Sequence, residues 1–259
     1  FGASDIKATG NTQEFNLEAI SGTLRDSILQ FQFANIDVAS LVDYALSEEL
    51  LPAASKDLFA SLSPGGHFTR LQATIDDLDN VTTSWRLQAN FKDLSVNSWK
   101  GAPSISNGSG YLSLSREEGR LQISSNDFSM GFPNLYRHTL DYESFATELA
   151  FSVDDDGFEL WSGPFSGTAE EGRVHGLFAL SVPFGESITG LEMDLLVGIE
   201  DAHPRYRAKY LPYTLPSGLL NWLENSIGDG SLNDAGFIFR GSLRPGNIPH
   251  RSVQLFSNV

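Results

Sequence analysis

The stretch Gly172–Phe184, GRVHGLFALSVPF, decides how this chain is read, together with Gly190–Ile199, GLEMDLLVGI. In the first, Val174, Phe178, Leu180 and Val182 occupy alternate positions. In the second, Leu191, Met193, Leu195, Val197 and Ile199 do the same. A period of two puts alternate side chains on one face of an extended strand, whereas a helix repeats its apolar positions every three or four residues. Both stretches are therefore strands with one apolar face, and neither is flanked by a catalytic motif.

Working outward, the same alternation recurs. In TSWRLQANFKD, Trp85, Leu87, Ala89 and Phe91 share a face, opposed by Ser84, Arg86, Gln88 and Asn90. In SFATELAFSV, Phe145, Leu149, Phe151 and Val153 align. GYLSLSREEGRLQISS reads as a hairpin turning at Glu117–Gly119. The template counts roughly 14–16 strands. Two regions depart from it and are expected to be helical, one at about 40–63 in two short pieces separated by Pro52, with Ser40 as the N-cap of the first piece, and one at 215–228. In each region a Leu-Pro pair (Leu51-Pro52 and Leu211-Pro212) precedes a short amphipathic helix that leads through a Gly-rich exit into a strand, which reads as an internal repeat. The expected organisation is one elongated β segment over 1–259, with repeat units at 1–64 and 65–228 and a further unit starting at 229.

Composition narrows the function. The formal charge is −16, from 33 acidic and 17 basic residues. That opposes nucleic acid as a partner, since phosphate contacts need clustered Lys and Arg, and opposes simple adhesion to an anionic membrane. There is no cysteine, so disulfides and thiolate metal sites are absent. Apolar runs such as LLVGI at 195–199 fall far short of the roughly 18 residues a membrane-spanning helix needs. The chain opens at Phe1 in ordinary globular sequence and is read as an internal piece of a longer protein.

Reactive constellations are scarce. The five histidines, His67, His138, His175, His203 and His250, lack metal-ligand spacing. The run Asp154-Asp155-Asp156-Gly157 reads as a hairpin turn, because consecutive side chains on a turn point apart and no distal Glu follows at calcium-loop spacing. Asp76-Asp77 reads the same way. No catalytic residue, metal or cofactor is expected. Paired carboxylates for glycoside hydrolysis stay open as a reading, with no pair singled out. The strands themselves are the informative feature. A large apolar sheet face must be covered by a second sheet, by helices or by lipid, and two short helices are too few.

The segment AHPRYRAKYLPYTLPSGLLNWLENSIGDGSLNDAGFIFRGSL at 202–243 resembles a segment of the YhdP family, part of the wider AsmA-like group of bacterial envelope proteins that includes TamB. The features that carry the resemblance are Tyr210-Leu211-Pro212, Trp222-Leu223, Ile227, Gly228–Gly230, and the strand end from Phe239 to Gly241. LLPAASKDLFASLSPGGHFTRLQATI at 50–75 and WRLQANFKDLSVNSWKGAPSISNGSGYLSLSREEGRLQISS at 85–125 are similar to recurring segments of the same family. The resemblance implies a long protein held in the inner membrane by an N-terminal helix outside this sequence and extending through the periplasm of a Gram-negative bacterium. It implies strands curled into an open trough along which phospholipid acyl chains slide between inner and outer membranes, supporting the outer-membrane permeability barrier. Membrane components at either end would be engaged by parts outside this sequence. No catalytic residue is carried over.

The expectation is thus a mainly β fold, an elongated, curved antiparallel sheet forming an open hydrophobic groove. Its lining is assigned to Trp85, Leu87, Phe91, Phe145, Leu149, Phe151, Phe178, Leu180, Leu195, Val197, Phe237 and Phe239. An apolar wall of this kind offers about 25 cal/mol per Å² with no directional bond, so it permits sliding as well as binding. The rival reading is a β-rich binding or scaffold module that recognises a protein or glycan in the envelope.

Overall fold

The structure is a computed structural model that describes residues 1–9, 14–47, 53–218, 220–221, 232–244 and 246–258. It is mainly β. The strands are β1 (Gly2–Thr9), β2 (Glu14–Arg25), β3 (Ile28–Asp37), β4 (Gly65–Ile75), β5 (Trp85–Val96), β6 (Ser104–Ser115), β7 (Glu118–Gly131), β8 (Leu140–Val153), β9 (Gly157–Ser162), β10 (Phe165–Ala169), β11 (Gly172–Pro183), β12 (Glu192–Ala202), β13 (Leu232–Ser242) and β14 (Arg251–Asn258). They form a single 14-stranded sheet in chain order, with β9 off the main path and paired to β8 and β11. Successive antiparallel strands joined by short turns are what alternating sequence with frequent turn residues produces.

The helical pieces are short: α1 (Val38–Ser47), α2 (Ala53–Leu62) and α3 (Arg207–Tyr210). The region near 40–63 carries two short helices, as expected. Its first N-cap is Asp37 and not Ser40, because the Asp37 carboxylate accepts the Ser40 N–H at 2.8 Å. The expected helix at 215–228 lies mostly outside the described residues. Ahead of it, Pro204–Tyr206 forms a 3-10 turn that runs into α3, which periodicity did not signal.

The chain divides into two compact units, Phe1–Leu121 and Gln122–Val259. In the first, β1 to β6 form an antiparallel meander, and α1 and α2 connect β3 to its neighbour β4. Bulges interrupt β4 against β5 and β5 against β6, with Asp93 and Asn107 at positive φ (54° and 58°). Asx residues tolerate that conformation, and each bulge bends its strand. The β6–β7 turn is Arg116–Glu117, one step earlier than the expected Glu117–Gly119. The Ser115 hydroxyl accepts the Glu118 N–H at 3.3 Å and closes it there.

In the second unit, β9 and β10 share one strand position between β8 and β11. Gly163-Pro164 separates them and inserts one extra residue, since Ser162 lies opposite Leu149 while Gly167, five residues further on, lies opposite Phe145, only four residues back. Proline cannot donate to a ladder, so the break falls at that residue. The Asp154–Gly157 turn is a local Asx turn, with the Asp154 carboxylate accepting from Asp156 N and Gly157 N, both at 2.9 Å. Asp77 likewise closes its turn, accepting from Asp79 N at 3.0 Å and Asn80 Nδ2 at 2.7 Å.

Candidate functional site: an uncovered apolar face

Residues directly opposite in a ladder share a face, so the register sorts the side chains. In the first unit, one row runs Phe31, Ala73, Leu87, Leu114, and the next runs Phe33, Leu71, Ala89, Leu112. Trp85 lies opposite Ile75, and Phe91 lies opposite Phe68. Trp85, Leu87 and Phe91 therefore stand on one face. The back of the same strands carries Arg86, Gln88 and Asn90, opposite Thr74, Gln72 and Arg70. Arg86 spends its charge there on Asp76 at 2.7 Å.

In the second unit the other nine candidates also share a face. One row runs Leu255, Phe237, Val197, Gly176, Phe165. Another runs Val253, Phe239, Leu195, Phe178. A third joins Met193, Leu180, Leu160 and Phe151, and a fourth joins Ala235, Ile199, Val174, Gly167 and Phe145. Leu149 falls on this face by alternation with Phe145 and Phe151. All these strands belong to one sheet, and the described residues of the unit form no second one.

Burial varies along the face. Phe91 and Phe145 are buried, and the other ten candidates are only half-buried. At the β14 end the face is open, with Val253 59% and Leu255 68% exposed. Toward β7 and β8 it closes. Phe128 is 1% exposed and stacks on Phe145 with ring centroids 4.6 Å apart. Tyr142 and Phe145 are both buried although three residues apart, which breaks strict alternation. Their rings pack over Gly167, where a Cβ would come within 2.8 Å of the Tyr142 ring. Burial pushes the Tyr142 hydroxyl well above the usual phenol range, and the nearby Glu171 charge adds to it.

Periodicity missed the closed end. Phe165 was hidden between Gly-Pro and Ser-Gly, and Leu140 and Tyr142 lie before the irregularity. Glu171 sits in the β10–β11 turn and is 8% exposed. Burial raises its pKa, but hydrogen bonds from Lys209 and Tyr210 outweigh this and hold the carboxyl below its ordinary value. Lys209 Nζ lies 2.6 Å from Glu171 Oε1, and the Tyr210 hydroxyl donates to the same oxygen at 2.5 Å. Nothing in adjacent sequence announces that pairing. Among the described residues no group of three or more His, Asp or Glu is placed to hold a metal ion. Among them, too, no helix is long and apolar enough to cross a membrane, which says nothing of a β-barrel.

Among the described residues this face offers apolar contact. The Escherichia coli K12 protein named "Intermembrane phospholipid transporter YhdP" is 24% identical over 220 residues, covering 84% of this chain and 17% of that protein. The chain thus spans about a sixth of the length of this relative. No solved structure matches. The sequence model of the family described as "YhdP protein" matches residues 1–257, and the chain belongs to the YhdP family.

Proposed function

We propose that this chain is a non-enzymatic segment of a longer envelope protein that moves phospholipid between inner and outer membranes. The observation that carries the reading is the apolar face of each unit: three of the twelve side chains share one face in the first and nine share one face in the second, ten of the twelve are only half-buried, and the described residues form no second sheet. Leaving that much apolar surface in water is unfavourable, and an acyl chain is the ligand that covers it without hydrogen bonds. The printed name of the E. coli relative supports the same ligand class. On this reading the sheet curves into a groove, the segment lies in the periplasm, and its strands form repeat units at 1–64 and 65–228, with another from 229. The partners are phospholipid acyl chains in this segment and membrane components elsewhere in the protein.

The test is photo-crosslinking in cells that produce the full protein. A photoreactive side chain at Phe178, Leu195 or Phe239 is expected to capture phospholipid, while one at Arg86, Gln88 or Glu148, on alternate positions, is not. Equal capture from both sets, or none from either, refutes the lipid path and leaves the scaffold reading.

A further inference from the structure

The chain between β12 and β13 does not leave the sheet directly. It first doubles back across the strand ends of the second unit. His203 N donates to Glu171 O at 3.1 Å. The Tyr206 hydroxyl donates to Glu170 at 2.6 Å. Lys209 reaches Glu171 at 2.6 Å and Asp141 at 3.9 Å, and Tyr210 donates to Glu171. Tyr213 completes the crossing, with its N–H on Leu135 O at 3.0 Å and its hydroxyl on Pro133 O at 2.8 Å. Residues 203–213 are thus strapped over the β10–β11 turn and the β7–β8 loop.

Two features stand out. The attachments just named are polar, namely hydrogen bonds and an ion pair. Bonds of that kind exchange with water at small net cost, unlike an apolar interface. The strap also meets the sheet where the apolar face is most buried. Phe128, Tyr142 and Phe145 are at most 7% exposed there, while Leu195 and Phe239 on the same face are half-open. Lys209 lies 3.9 Å from Asp141, the residue next to Tyr142 on β8, which puts the strap's charged anchor beside the aromatic cluster.

We propose that residues 203–213 are a gate that controls access of an acyl chain to the apolar face at Tyr142 and Phe145, held shut by Glu171 with Lys209 and Tyr210. The inference rests on the lipid reading above. With the strap docked, the aromatic cluster is closed to a ligand. With it released, the cluster joins the open rows of β11 to β13, because Phe165 already lies in the row of Val197 and Phe237. Glu171 and Lys209 are positioning residues in this device and touch no lipid.

The 259 residues contain no cysteine, so an introduced pair meets no competing thiol among them. Leu135→Cys with Tyr213→Cys places a thiol on each of two residues already linked by a backbone hydrogen bond, and disulfide formation is verified on a non-reducing gel. In cells producing the full protein, photoreactive side chains are placed at Phe145 and, separately, at Leu195. If the larger group is not accepted at 145, Tyr142 beside it serves. Reduced against oxidised forms of the same variant are compared for captured phospholipid. The gate predicts severalfold less capture at Phe145 on oxidation and no change at Leu195. Glu171→Gln, without the lock, is expected to raise capture at Phe145. Equal capture at Phe145 in both redox forms, with Leu195 labelled, overturns the gate and leaves the lipid path standing. No capture at Leu195 in any form overturns the lipid path itself, and the gate with it.

Discussion

Replacing Leu195 with Asp separates an open apolar face from a packed core. Leu195 is half-buried between Phe178 on β11 and Phe239 on β13. Full burial of a leucine contributes about 2 kcal/mol, so about 1 kcal/mol is at stake here. Each cross-strand pair adds roughly 0.2–1 kcal/mol. The expected loss for Leu195→Asp is therefore about 2 kcal/mol, with the new carboxylate staying in water. Phe128→Ala is the reference, since Phe128 is 1% exposed and stacked on Phe145. Emptying such a site costs about 3–5 kcal/mol. In urea, with a slope near 2 kcal/mol per M, the midpoint falls by about 1 M for Leu195→Asp and about 2 M for Phe128→Ala. The measurement is urea unfolding followed by tryptophan fluorescence. A loss of roughly 4–5 kcal/mol or more for Leu195→Asp, equal to Phe128→Ala, means the carboxylate is buried and unpaired and the face is a core. The reasoning for an open surface then fails.

Two further outcomes follow from local geometry. Gly176→Ala puts a Cβ 2.1 Å from the Leu196 carbonyl oxygen and 2.6 Å from the Phe165 ring, so a loss of about 1–3 kcal/mol is expected, while Gly185→Ala, with nothing within 4 Å, stays within about 0.5 kcal/mol. Equal urea midpoints for the two variants contradict this. Glu171, facing Lys209, Tyr210 and Tyr142, and Asp141, bonded by Ser129 and Thr139, both have folded pKa values below their ordinary ones. Their stabilisation is complete above the ordinary carboxylate range and is lost as pH falls through it, from about pH 5 downward. Glu171→Gln is expected to lose less stability than the parent between pH 7 and pH 3, and identical losses refute the assignment.

Much of this molecule is a local property of the chain. Period-two alternation placed Phe178, Leu180, Leu195 and Val197 on one strand face before any partner was known, because Cβ direction reverses at every extended residue whatever lies opposite. Asp154 and Asp77 closed turns as their neighbours required, since an Asx side chain reaches its own backbone two residues on. The segment 202–243 carried the family. What alternation cannot encode is depth. Phe145 and Phe151 obey one pattern, yet Phe145 is buried and Phe151 is half-open, because burial depends on what the rest of the chain lays over each strand end. The same holds for caps and pairs. Asp37 displaced Ser40 as the N-cap because α1 begins directly from β3, and its carboxylate reached the free N–H first. Lys209, read only as one charge in an acidic chain, became the partner of a buried Glu171. Tyr210 joined the same carboxylate across 39 residues of sequence. The residues with an apolar face were legible as sequence. Only the tertiary fold decided which part of that face is buried, since Phe128 on β7 meets Tyr142 and Phe145 on β8 only when the strands are brought together.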